Sequence, residues 1–413
     1  MANQYQSTAQ TGILKQLFQG PIVDQFNQDV PIWRGASKGN FPWSGQFVNR
    51  PLKVRRNPGV GSTTDGGNLP KVGRQTTVQA AIYAKYLYGR GGISGPMLAA
   101  SKNDAGAFVR GFSFEVESLT DDIKSQANRQ MTWDGTGDLA RVNTAAAAST
   151  SLVIKGREDG EPAMKFVDVD MMFDLYTSAN VLVQSGLTIN SISGSPSDTT
   201  VTLTLDQVVT TSANDILVLS GSGVNTEIQG LLTQLDGGTS TVFGIDRSSY
   251  QATQGNVIFQ TSTGATGGSS IALTLDVIQR LLDETQRRGG EVVNALYCDY
   301  STRRMYNKLL VADRRYVGSV VGDGTFAKKG EPHLEFGGIP IVADKDCPVR
   351  LFALTGKYIE KYTLSELALA EDTGAPMIAA AENDQLEFRI RMFANLFNSK
   401  ASACGVLTQY SAP

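Results

Sequence analysis

The residues of this 413-residue chain best suited to chemistry are few and far apart: one histidine, His333, and three cysteines, Cys298, Cys347 and Cys404. A structural zinc site needs four such ligands, usually in close pairs, and none of those spacings occurs. Base catalysis by His333 would need partners that only the fold could supply, so a loop histidine between Pro332 and Leu334 is the expectation. Asp168, Asp170 and Asp174 come nearer to a cation site, yet their spacing lacks the glycine and terminal glutamate of a calcium loop. They read as carboxylates alternating along the wet face of a strand. No glycine loop ends in Gly-Lys-Ser/Thr. The nearest dinucleotide-like string, Gly135-Thr136-Gly137-Asp138-Leu139-Ala140, follows a long helical pattern instead of a strand, so it reads as a helix stop. These residues point to no catalytic group, no metal and no cofactor. The odd, scattered cysteines and the lack of a signal-peptide pattern suit reduced thiols packed in a core, in a cytoplasm-like compartment. No apolar run approaches a bilayer span.

Charge carries more information. Lys and Arg total 37 against 40 Asp and Glu, a formal net charge of -3, which argues against a globally basic nucleic-acid binder. Arginine pairs occur at Arg55-Arg56, Arg287-Arg288, Arg303-Arg304 and Arg314-Arg315. The last three read as capping or solvated side chains. The first belongs to a cluster of Arg50, Lys53, Arg55, Arg56, Lys71 and Arg74 opposed only by Asp65, while Glu115, Glu117, Asp121 and Asp122 stand close together further on. A basic arm and an acidic rod on one polypeptide complement each other between copies of that polypeptide.

The elements that must position these groups follow from periodicity. Residues 1 to about 47, rich in Gln and Asn, read as an extended arm packing against something else. From Arg50 to Tyr88 the pattern is a hairpin with a Gly-, Pro- and Thr-rich tip over Asn57 to Pro70, and Val78, Ala80, Ile82, Ala84 and Tyr86 fall on one face at period two. So long a tip should project and meet its partner outside the domain. Phe108, Phe112, Val116, Leu119, Ile123 and Ala127 recur every three or four residues, predicting one helix over about 104–131 that ends at Trp133-Asp134-Gly135-Thr136-Gly137. Between Lys165 and Arg247 there is no cation, and Val/Thr/Ser runs separated by Gly-Ser and Asn-Asp turns predict an inserted antiparallel β-domain over about 148–224. Thr274 as N-cap, Leu275, Ile278, Leu281 and Leu282 on one face and Gly289-Gly290 as the stop predict a helix. A strand at Val292 to Cys298, a helix at Ser301 to Leu310 and a strand at Ile339 to Val342 continue the alternation. Last, Leu386, Phe388, Ile390 and Met392 alternate with charge in a half-buried strand.

In this order the elements resemble the major capsid protein of tailed bacteriophages, whose fold is shared with herpesvirus shell floors. The likeness rests on Gly92-Ile93-Ser94 before the long helix, Trp133 to Gly137 after it, Phe336-Gly337-Gly338-Ile339-Pro340-Ile341-Val342, and Leu386 to Met392. It implies an α+β capsid fold: an N-terminal arm (1–49), an extended hairpin loop (50–92), a peripheral domain with its spine helix (93–147), the inserted β-domain (148–224), a connection (225–264), an axial domain (265–375) and returning peripheral strands (376–413). It also implies the partners: further copies of the chain in pentamers and hexamers, a separate scaffolding protein, a portal, and packaged DNA by non-specific proximity, with no membrane. Lys53 and Lys71 lie where crosslinking members of that family supply a lysine, although no motif singles out an asparagine partner. The function this implies is a virion shell subunit, assembled in the bacterial host cytoplasm and without catalysis. A bacterial nanocompartment shell and a secreted or adhesive β-rich enzyme are the alternatives.

Overall fold

The computed structural model describes residues 30–39, 43, 45–94, 105–238, 240–259, 271–311, 334–370, 378–379 and 384–411. Its axis is the helix Ala105–Thr132, 28 residues and therefore about 40 Å long. Val116, Leu119 and Ile123 form its apolar stripe and pack on Leu87, Leu367, Leu369, Phe388 and Ile390 of a sheet. Phe108 and Phe112 of the expected stripe lie outside the described side chains. The helix stops where expected, at Gly135 and Gly137, whose φ of 83° and 86° suit glycine best.

In that sheet Gln385–Asn398 runs antiparallel to both Lys85–Ser94 and Ile359–Leu369, and Ser37–Lys38 adds a parallel edge on Glu360 and Lys361. The strand is longer than the predicted Leu386 to Met392. Its alternation ends because both faces are covered from Ala394 onward, Leu396 entering one core and Phe397 another, and a doubly buried strand has no polar face to read. Residues 1–29 of the expected arm lie outside the described residues. The segment that follows packs on its own chain, with Ile32 buried against the end of the long helix.

Phe47–Arg55 and Thr76–Tyr83 form the predicted hairpin, burying Val48, Ala80 and Ile82 against Val242, Phe243, Ile245 and Phe397. The predicted face holds through Ala84 and fails at Tyr86, which is 62% exposed. At Lys85 the chain leaves the hairpin and joins the larger sheet with its phase shifted by one residue. Leu87 then faces the helix, while Tyr86 and Tyr88 stack edge-on against Phe393 at 5.1 and 5.5 Å. Beyond Arg55 the two limbs of the hairpin stay together without a ladder. A Cβ on Gly59 would lie 2.9 Å from Lys71 O and Gly73 N, so only glycine permits that approach.

The β insertion closes into a six-stranded barrel: Asp138–Val142, Ser149–Lys155, Met172–Tyr176, Leu182–Ser193, Thr200–Val209 and Ile216–Leu219. It begins at Asp138, earlier than the expected 148. Its first strand pairs with the second and the last, and its short, almost wholly buried run shows no alternation to read. The aspartate triplet is also arranged otherwise than expected. Asp168 and Asp170 are exposed ahead of the strand, and Asp174, inside it, is buried, accepting hydrogen bonds from Gly186 N, Ser220 Oγ and Gly221 N at 2.8, 2.9 and 3.3 Å. It closes two turns over the barrel wall.

A second six-stranded sheet runs in the order 256–259, 405–408, 351–354, 295–298, 339–343, 335–336, with the helices Leu275–Gly289 and Tyr300–Val311 packed in the same core. Thr274 caps the first helix by accepting from Val277 N, and Gly290 ends it at φ 69°. Asp299, unforeseen, caps the second by accepting from Ser301 N and Thr302 N. The strand before it is Ala295–Cys298, shorter than predicted; Val292 is 64% exposed. The whole is a mixed α/β structure.

Candidate interaction surfaces

The groups that could do covalent or metal chemistry are used for packing. Cys298, Cys347 and Cys404 are buried, and burial pushes all three thiols up, away from the reactive thiolate. No cluster of three or more His, Cys, Asp or Glu could hold a metal among the described residues, and His333 lies outside them, as do Arg314 and Arg315. No helix is long and apolar enough to cross a membrane among those residues. A cleft of about 530 Å³ gathers Arg141, Lys155 and Arg157 with Glu158, Asp159 and Arg350, but Arg350 is already bound to Glu158 at 2.8 Å. Arg141 and Arg157 are likewise taken up, by Asp138 and Asp134.

The predicted contact residues divide into two groups. Arg50 pairs with Glu360 at 3.4 Å, and Arg55 donates to Ser249 O at 3.1 Å while stacking over Tyr250, so both are engaged within the chain. Lys53, Arg56, Lys71 and Arg74 are exposed and form no ion pair among the described residues. On the long helix Glu115, Glu117 and Asp122 are exposed, and Asp121 takes Lys124 at 2.8 Å. Among the described residues, none of Lys53, Arg56, Lys71 and Arg74 is paired with Glu115, Glu117 or Asp121. Arg287 lies on Glu284 and is largely solvated, whereas Arg288, expected to cap or to be solvated, ties down the backbone of Gln251 and Gly255 outside its own helix.

Sequence reasoning missed a buried ionic joint where the long helix meets the barrel and the second sheet. Arg157 sits over the Trp133 ring at 4.0 Å and reaches Asp134 at 2.9 Å and Asp138 at 3.6 Å. Arg129 is bound to buried Glu227, and Lys165 joins Glu161 at 2.7 Å and Cys347 O at 2.6 Å. Asn128 Nδ2 donates to Asp346 at 2.8 Å and to Asp344 at 2.9 Å, and Trp133 Nε1 donates to Asp346 O at 2.8 Å. Burial pushes Asp346 and Glu161 above the usual carboxylate range. Burial acts on Asp134 too, but Arg157 and Thr136 outweigh it and hold that carboxyl low. The one available signal was the run Asn128-Arg129-Gln130 interrupting an apolar pattern just before Trp133. Gly230 completes the joint: a Cβ there would run into the carbonyl oxygens of Gln130, Met131 and Trp133.

Large exposed apolar side chains concentrate at two outlying places. Val60, Leu69 and Val72 lie on the hairpin tip at 86, 82 and 100% exposure, and Val169, Met172, Val181, Leu182, Val183 and Val208 lie on the barrel. Patches of this kind mark contact surfaces more often than they mark anything else.

No protein-family model matches the chain, and no curated protein matches it in sequence. Solved structures do. The capsid asymmetric unit of cyanophage A-1(L) is similar at a TM-score of 0.61 and 13% identity, over 98% of this chain and 99% of that one. The capsid of the native GTA particle is similar at 0.55 and 11%, over 99% and 100%, and that of the empty GTA particle at 0.52 and 10%, over 97% of each. Identities this low speak to fold alone. The chain has the mixed α/β fold of phage capsid proteins.

Proposed function

We propose that this chain is a major capsid protein: many copies tile into an icosahedral head around double-stranded DNA, and no chemistry is catalysed. The observation that carries this reading is the likeness in fold to the cyanophage A-1(L) capsid over 98% of this chain and 99% of that one. In this reading the helix Ala105–Thr132 is the spine of a peripheral domain covering 93–137 and 376–413, residues 265–375 form the axial domain, 50–92 the extended loop, and 225–264 the connection. The barrel is the extra domain on the outer surface. Its long stretch without Lys or Arg suits a position away from DNA.

Repeated heterologous contact closes when its curvature closes. Lys53 and Arg56 of one copy would lie over Glu115 and Glu117 of the next, since the chain leaves both sets exposed. A separate scaffolding protein and a portal would complete assembly in the host cytoplasm. Expression of the chain alone, followed by electron microscopy, tests the reading: shells, sheets or tubes are expected. Assembly only with co-expressed scaffold upholds it as well, and a chain that assembles under neither condition overturns it. Nucleic acid inside the particles tests the DNA part separately.

A further inference from the structure

Two surfaces of the chain have complementary chemistry and no use for each other within one copy. The hairpin beyond Arg55 carries Val60, Leu69 and Val72, fully or nearly fully exposed, beside the exposed cations Lys71 and Arg74. The barrel carries Val181, Leu182 and Val208 at 61, 50 and 55% exposure. Gln184 Nε2 donates to Gln207 Oε1 at 3.0 Å, which sets the start of the strand carrying Leu182 beside the strand carrying Val208. Exposed Asp206 stands two residues from Val208, and no cation occurs between Lys165 and Arg247. Two barrels brought face to face would repel, and so would two hairpin tips. A tip on a barrel buries apolar surface on both sides and pairs unlike charge.

We infer that the hairpin tip of one copy docks on the acidic, apolar face of the barrel of a second copy. This rests on the copy-to-copy reading above and extends it from the helix to the barrel. The reach is sufficient. From Arg56 to the turn at Asp65 an extended limb spans up to about 30 Å. On the neighbour, the stretch from Glu117 to the end of the helix at Thr132 covers about 22 Å, and the barrel starts at Asp138. A hairpin whose root cations lie on the helix acids and which runs toward that end of the helix is therefore long enough to bring its tip to the barrel. The tip's conformation suits this: its limbs are held by Gly59 against Lys71, by a Thr63 Oγ1 bond to Asn68 O at 3.1 Å, and by a Gly67 N bond to Thr64 O at 2.9 Å, so its apolar side chains project from a formed loop.

Cysteine pairing in assembled particles tests it, because the three native thiols are buried. Val72→Cys combined with Leu182→Cys, or with Val208→Cys, should give a ladder of linked chains on a non-reducing gel, and each single variant none. All three positions are exposed, so the thermal midpoint of the unassembled chain should not move. Val72→Cys combined with Glu117→Cys is the discriminating control. Linkage there and not at the barrel, or particles with no linkage at the barrel pairs, overturns the docking and leaves the shell reading standing. An unsubstituted chain that never assembles overturns both.

Discussion

The ionic joint and the hairpin tip are made of the same materials, cations beside large apolar groups, and the chain treats them in opposite ways. At the joint Arg157 is enclosed between Asp134, Asp138 and the Trp133 ring, and Arg129, Lys165 and Asn128 each have a named acceptor. At the tip Lys71 and Arg74 face solvent next to Val72, which has no cover at all. A single copy spends the first set on holding the long helix, the barrel and the second sheet in one arrangement. It leaves the second set unspent. Exposed apolar surface costs solubility unless something covers it, so the contrast separates what the copy needs for its own fold from what it offers to another copy.

The largest effects should come from breaking the joint. Arg157→Ala leaves half-buried Asp134 without its cation and Asp138 with Arg141 alone, and should destabilise the unassembled chain by about 3 kcal/mol, measured by chemical denaturation. A loss below about 1 kcal/mol would mean that the joint is wet and adaptable, contrary to the comparison. Gly230→Ala should cost about 1–3 kcal/mol by a different route, because its Cβ meets three backbone carbonyls that cannot turn aside. A crystal or cryo-EM structure of that variant should show the segment from Gly230 displaced from the helix end.

A middling effect is expected with pH. Burial holds Asp346 above the usual carboxylate range, with Lys345, Asn128, Lys165 and Arg129 facing it and only partly offsetting the burial. Between the ordinary value near ~4 and the raised one, the native chain binds more protons than the unfolded chain, so this contribution to stability is lost as pH rises through the window. Asp134 has the opposite sign. Held low by Arg157 and Thr136, it stabilises above the ordinary value, and its contribution is lost as pH falls through its own folded value. The thermal midpoint of the unassembled chain should therefore peak in mildly acidic buffer. Asp346→Asn should flatten the decline on the alkaline side of the peak and leave the acid limb intact; an unchanged alkaline slope would remove Asp346 from this account.

The two regions were also unequally legible. The hairpin, the long helix, the Thr274 cap and the Gly290 stop could be read because each leaves a local signature: period two, period 3.6, an accepting hydroxyl, or a glycine at φ 69°. The joint could not, because its partners are distant in sequence. Asn128 meets Asp344 and Asp346, and Lys165 meets Cys347 O, through tertiary structure alone. Buried strands failed for a related reason. Asp138–Val142 and the end of Gln385–Asn398 are covered on both faces, and periodicity reports only elements with one wet side. Tyr86 was misplaced because nothing local marks the shift from one sheet to another at Lys85. Of the contact residues, Arg50 and Arg55 looked equivalent to Arg56 in sequence, and only tertiary structure shows Glu360, Ser249 and Tyr250 occupying them.

The smallest effect on the single copy should accompany a large effect on the assembly. Lys71→Glu with Arg74→Glu changes four units of charge at exposed positions that form no ion pair among the described residues, so the unassembled chain should keep its stability within about 0.5 kcal/mol. The same double variant places carboxylates against whichever acidic surface a neighbour presents, and like charges brought together across a contact oppose association. Sedimentation should therefore show the variant remaining in slow species under conditions that assemble the unsubstituted chain, with the difference shrinking as salt screens the repulsion. A variant that assembles normally, with unchanged salt dependence, would show that the tip cations are solvated and that shape alone seats the hairpin. A variant that loses several kcal/mol of stability would erase the contrast itself, because the tip would then belong to the fold of one copy.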